Sequence, residues 1–203
     1  MWLNIGKRAN GREVRSNSEA TVFAHNLFVD CGYVYYPDLK RRSQYYRPHT
    51  TVVVGRKTGT AQDDKWFNNI FVRIGLDKVK EAPGYASDHN LFLEGAEKSG
   101  FGDENSLVEP SMTGLAIESM PRGARISFSL SNAHLRVEAK RIDAERFGVF
   151  PTVGQRLEDR DGRPIIVDPD VNGRRFSRPL PGPISDLKPG LNTITWPLPQ
   201  HRG

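Results

Sequence analysis

Two short stretches hold most of the residues able to do chemistry. YYRPHTT (45–51) supplies Tyr45, Tyr46, Arg47 and His49, and QDDKWFNN (62–69) supplies Asp63, Asp64, Lys65 and Trp66. Hydrolysis of a glycosidic bond needs two carboxylates, one as acid and one as base or nucleophile. Asp63 and Asp64 are neighbours, so a strand would send their side chains to opposite faces. The expected catalytic set is therefore one of them with a distant partner such as Asp38 or Asp88, and with His49, whose ordinary pKa of about 6.5 suits a base. Arg47 could hold a sugar carboxylate with two parallel hydrogen bonds. Lys65 offers a second cation, and Tyr46 and Trp66 offer faces for a pyranose ring. Each residue has a plainer reading. Asp commonly caps the turn that leads into a strand, and aromatics before a strand usually pack.

Other patterns carry less. His25 and His89 both precede an asparagine, which argues for a repeated structural corner, and no spacing such as H-x-H or H-E-x-x-H accompanies them. No metal is expected. GRKTG (55–59) lacks the spacing of a phosphate loop, so no cofactor is expected either.

The elements that must position these residues show in a repeated phrase: HNLFVD (25–30), FNNIFV (67–72) and HNLFLE (89–94). The apolar triplets suit pleated strands, and a recurring period of roughly 20–25 residues marks stacked repeats. The pattern predicts an all-β chain: a parallel β-helix, a solenoid of coils of about 21–22 residues, followed by a small, mostly antiparallel β region. Asn26, Asn69 and Asn90 would form a ladder, and Phe28, Phe71 and Phe92 would stack beside it. The first gap is nearly double the second, as if one coil near 45–60 had lost its lettering. A solenoid that abandons its own rule marks a place for function.

The division falls at 1–123 for the coils and 124–203 for the antiparallel region. In the latter, Ile126, Phe128 and Leu130 predict one strand, SNAH (131–134) a turn, Leu135 and Val137 a second strand, and LNTITW (191–196) a closing strand. Residues 99–124 read as loop. MWLN begins abruptly, which predicts further coils upstream or an oligomeric partner as cap.

Composition is that of a globular chain: 203 residues, 37% hydrophobic and 26% charged. No apolar run is long enough to span a bilayer, and the opening MWLNIGKRANGREVRS has no stretch of signal-peptide length. A single Cys31 excludes an internal disulfide. Net charge is +5, and the densest basic run, LKRRSQYYR (39–47), interleaves cations with tyrosines. Such a run suits an anionic partner; with no recognised nucleic-acid module, an acidic polysaccharide is the expected one.

The stretches AHNLFVDCG, YYPDLKRRSQYYRPHTT, DDKWFNNIFV, NLFLEGA and VDPDVNGRRFSRPLPGPISDLKPGLNTITW resemble bacterial right-handed parallel β-helix repeat proteins associated with carbohydrate breakdown. The resemblance implies a glycoside hydrolase or other polysaccharide-acting protein working outside the cytoplasm, extracellular or periplasmic. A polysaccharide lyase, in which Arg47 or Lys65 neutralises a uronate and His49 or a Tyr takes the proton, is the second expectation. A non-catalytic carbohydrate-binding or structural module is the third.

Overall fold

Each copy of the repeated phrase folds as a three-residue strand because the residues on either side of it leave the extended conformation. The computed structural model describes residues 5–7, 14–16, 18–35, 37–111 and 113–197. The copies are β4 (Leu27–Val29), β9 (Ile70–Val72) and β11 (Leu91–Leu93). The residue two before each strand (His25, Asn68, His89) has φ of 54–56°, and the residue after it (Asp30, Arg73, Glu94) has φ of 51–67°. Left-handed residues at both ends cut each strand to three.

With β1 (Ile5–Lys7) and β12 (Leu107–Glu109), these strands make one five-stranded parallel sheet in the order β1-β4-β9-β11-β12. Register aligns Phe28, Phe71 and Phe92, and their rings stack at 5.1 Å between successive pairs. A second parallel sheet, β3 (Val22–Ala24), β8 (Lys65–Phe67) and β10 (Ala86–Asp88), runs in the order β10-β8-β3.

The asparagines join the two sheets. The Asn26 amide and Nδ2 both donate to Asn69 Oδ1 at 3.0 and 2.9 Å. The Asn69 amide and Nδ2 donate to Asn90 Oδ1 at 2.8 and 3.1 Å, and the Asn90 amide donates to Ser106 Oγ. Each Nδ2 also reaches a carbonyl of the second sheet's strands: Ala24, Phe23 and Trp66 in turn. All three side chains are fully buried, so only a group that both donates and accepts can fill these positions.

Alternation along the strands divides the core. Leu27, Val29, Ile70, Val72, Leu91 and Leu93 face Ile126, Phe128, Ile184 and Ile194. Phe28, Phe71 and Phe92 face an aromatic cluster of Phe23, Tyr33, Trp66 and Tyr85, against which Cys31 is half-buried.

The continuous solenoid expected from the spacing does not form. The described strands fall into six separate sheets, three parallel and three antiparallel. Nor is there a coil between the first two copies, because β4 pairs directly with β9. The copies are separated by 43 and then 21 residues. The difference, 22 residues, equals the length of the stretch from Asp38 to Gly59, which leaves the stack as an antiparallel hairpin of β6 (Asp38–Tyr46) and β7 (Val53–Gly59). Spacing alone cannot tell an eroded repeat from an insertion; strand pairing can.

The third parallel pair is β2 (Val14–Ser16) with β5 (Tyr33–Tyr35). In the C-terminal half, β14 (Gly123–Leu130) pairs with β13 (Ala116–Met120) and with β17 (Gly190–Pro197). Its expected partner around Leu135 is instead part of a 3-10 turn, His134–Arg136. The stretch 99–124, read as loop, contains β12 and β13. A short pair, β15 (Ile142–Asp143) and β16 (Ile166–Val167), and a single-turn helix α1 (Ala144–Phe147), capped by the Asp143 carboxylate, complete an otherwise all-β chain.

Replacing Asn69 by Ala strands the Asn26 amide in a buried layer, takes a donor from the Phe23 carbonyl and leaves Asn90 Oδ1 with only the backbone amide of residue 69. The expected loss is about 3 kcal/mol, seen as a fall of roughly 6–12 °C in Tm. A loss below about 1 kcal/mol would show that the column does not carry the stack.

Candidate functional site

The residues proposed for chemistry separate into two groups. Asp63, Asp64 and Trp66 are built into the stack, whereas Tyr46, Arg47 and His49 project with the hairpin.

Asp63 is 2% exposed, and its Oδ2 accepts from the Thr152 amide at 2.8 Å and from Thr152 Oγ1 at 2.5 Å. Asp64 is fully buried; it accepts from the Thr21 amide at 2.9 Å and from the Tyr33 hydroxyl. Burial pushes its carboxyl above the usual carboxylate range, an effect its hydrogen bonds only partly offset. Trp66, 1% exposed, stacks on Phe23 at 5.6 Å and meets Tyr33 and Tyr85 edge-on. It cannot offer a face to a sugar. Lys65 donates to the Gly84 carbonyl and lies 5.6 Å over the Phe150 ring, and burial lowers its pKa.

The two distant carboxylates considered as partners are also engaged. Asp38 accepts from the Lys40 and Arg41 amides and from Arg41 Nε, and Asp88 accepts from Asn105 and the His89 amide. The two-carboxylate pair expected around Asp63 and Asp64 is therefore not assembled: those side chains hold the fold together.

The second group does converge. The hairpin tip is closed by the Arg47 amide to the Val52 carbonyl at 2.9 Å and by Thr50 to the Arg47 carbonyl at 3.1 Å. It faces a loop that runs from Phe150 to Pro164. Tyr46, Arg47, His49 and Thr50 from the tip, with Gln155 and Arg160 from the loop, surround an open depression of about 810 Å³.

His49 Nε2 lies 2.7 Å from Glu158 Oε2, a contact across 109 residues of sequence. The Glu158 carboxylate raises the His49 pKa, helped by the Arg160 carbonyl and the nearby Asp159. Held in this way, the imidazole donates to the Glu158 carboxylate, which favours its protonated form.

The loop is shaped to receive it. Asp159 accepts from the Asp161 and Arg163 amides, and the Gly162 amide closes the turn on the Asp159 carbonyl at 3.0 Å. Gly162 has φ of 78°, a left-handed conformation that glycine adopts without strain. Two ties reach the same loop from elsewhere: Asp63 to Thr152, and Lys57, which donates to the Thr152 carbonyl at 2.9 Å while pairing with Glu19. Asp63 thus positions the loop that forms one wall of the depression.

The corner histidines behave as scaffold. His25 is 1% exposed, with Nδ1 facing the Gly182 carbonyl at 3.3 Å and Nε2 facing Asn68 Nδ2 at 3.0 Å; burial lowers its pKa to about 4. Among the described residues no group of three or more His, Cys, Asp or Glu could hold a metal ion, and no helix is long and apolar enough to cross a membrane. Glu158, Gln155 and Arg160 were not singled out by the sequence.

In an NMR titration of the imidazoles, His49 should titrate above the ordinary value of about 6.5, and Glu158→Gln should bring it back down to that value. An unchanged His49 titration in that variant would refute the pairing.

No protein-family model matches the chain, and no curated protein matches it. Among solved structures, the complex of XylC with xylose is similar, with a TM-score of 0.72 and 21% sequence identity over 90% of this chain and 35% of XylC. The chain spans about a third of the length of that protein, and the likeness is one of fold.

Proposed function

We propose that the chain is a carbohydrate-binding protein whose ligand lies in the depression between the hairpin tip and the 150–164 loop. The observation that carries this reading is the convergence of Tyr46, Arg47 and His49 with Gln155 and Arg160 around one broad, shallow, solvent-facing depression. Tyr46, half exposed, offers a ring face to a pyranose. Arg47, Arg160 and the Glu158-held His49 offer donors to hydroxyl or carboxylate oxygens. A fold shared with part of a protein solved with xylose supports a saccharide as the ligand class, as does the resemblance to bacterial proteins of carbohydrate breakdown.

Binding without cleavage is the reading favoured at this site. Hydrolysis needs two available carboxylates, and here Asp63 and Asp64 are buried and saturated, Glu158 is engaged with His49, and Asp159 caps its own turn.

The test is a panel of plant and algal polysaccharides and oligosaccharides, scored for binding by calorimetry and for new reducing ends and unsaturated products. The expected result is saccharide binding, weakened at least about tenfold, or 1.4 kcal/mol, by Tyr46→Ala and by Arg47→Ala, with no product of either kind. Binding equal to wild type in both variants would remove the depression as the site. New reducing ends would establish hydrolysis, and unsaturated products elimination.

A further inference from the structure

The charge of this protein is confined to one element. The stretch Asp38–Gly59 contains Lys40, Arg41, Arg42, Arg47, Arg56 and Lys57 against the single acid Asp38, a net +5. The whole chain has 29 basic and 24 acidic residues, also +5. What remains outside the hairpin is 23 of each, with no net charge. The neutral scaffold therefore carries one cationic arm, and that arm is the 22-residue insertion.

Its exposure matches its charge. Every residue of β6 after Asp38 is exposed, and the two strands pair only with each other. Arg41 is paired with Asp38 and Lys57 with Glu19. Among the described residues, Lys40, Arg42, Arg47 and Arg56 have no carboxylate within ion-pair distance; Arg42 only donates to the Arg56 carbonyl at 3.0 Å. Lys40 and Arg42 both lie in the exposed, bulged stretch of β6 between Asp38 and Ser43. Arg56 sits opposite Gln44 on the partner strand. A nine-residue strand is about 30 Å long, and at its far end lies the depression with Arg47, His49 and Arg160.

We infer that the hairpin is a docking arm for a polyanionic polysaccharide, a glycan whose repeating units carry carboxylate or sulfate groups, laid along the arm with one end entering the depression. The inference rests on the saccharide reading above and adds the charge class and the length of the ligand. Three features of the arm select this occupant. A second copy of the chain would bring a second +5 arm against the first. A lipid surface would call for an apolar tip, yet the turn itself is Arg47, Pro48, His49, Thr50 and Thr51, and the exposed Val52, Val53 and Val54 follow it directly. Tyr45 and Tyr46, both exposed, add aromatic surface beside the cations, a combination suited to a charged chain of rings.

The experiment measures binding of the full chain to sodium polygalacturonate and to neutral xylan between about 50 and about 300 mM salt, a range over which charge-driven binding changes by orders of magnitude. A triple variant, Lys40→Gln with Arg42→Gln and Arg56→Gln, tests the arm away from the depression; these residues are exposed, and circular dichroism checks that the fold is kept. The expected result is preference for polygalacturonate, at least a tenfold loss of its affinity across the salt range, and a shallower salt slope in the triple variant. Equal affinity for xylan, an unchanged slope in the triple variant, or tighter binding to phosphatidylserine vesicles or duplex DNA would each overturn the inference. Xylan binding that is independent of salt and abolished by Tyr46→Ala would keep the depression and remove the arm. Polygalacturonate binding that responds to the triple variant but not to Tyr46→Ala would do the reverse.

Discussion

The buried column of Asn26, Asn69 and Asn90 is the constraint from which the rest of the structure follows. The Asn69 and Asn90 carboxamides each accept two hydrogen bonds from the asparagine one layer away, and all three donate to a backbone carbonyl of the second sheet's strands. Apolar residues would leave those backbone groups unpaired in a dry layer, at a cost of about 1–3 kcal/mol each; aspartate could accept but not donate. The column therefore sets the register of β4, β9 and β11, and register in turn stacks Phe28 on Phe71 on Phe92. It also brings Asp30, Arg73 and Glu94 together, where the guanidinium bridges two carboxylates at 2.6 and 2.7 Å.

The same constraint accounts for the hairpin. Because Asn69 must lie directly on Asn26, any residues beyond those needed for one circuit have to leave the stack. They leave between Asp38 and Gly59 as a two-stranded ribbon whose polar and cationic side chains no sheet face could bury. The ribbon is then anchored at both ends. At its base, Lys57 holds Glu19 and the Thr152 carbonyl; at its tip, His49 holds Glu158. Both anchors involve the 150–164 loop, which Asp63 secures from the stack side. A depression between the tip and this loop is the geometric outcome.

What the sequence revealed, and what it hid, follows the reach of each interaction. The Asn and Phe positions were legible because stacking repeats them at similar spacing, and the left-handed corners left a trace in His25 and His89. Tyr46, Arg47 and His49 drew notice because the repeat is interrupted there, although the interruption is an inserted hairpin and not a worn coil. The burial of Asp63, Asp64 and Trp66 was not legible for a physical reason: their partners, Thr152, Tyr33 and Phe23, are 89, 31 and 43 residues away, so nothing nearby signals them. Glu158 escaped notice on the same grounds, 109 residues from His49. The continuous solenoid failed as an expectation because a period fixes which residues stack but not whether the sheets between them join.

The central claim is a division of labour: the asparagine-pinned stack carries stability, and the inserted hairpin carries binding. Excising residues 38–59 tests it directly, since the circuit from β4 to β9 would then match the 21-residue circuit from β9 to β11. The account predicts a folded protein by circular dichroism and a cooperative thermal transition lowered only by the lost ties of Lys57 to Glu19 and the Thr152 carbonyl and of His49 to Glu158, with saccharide binding abolished. An unfolded product, or a folded one that binds as the intact chain does, would contradict it.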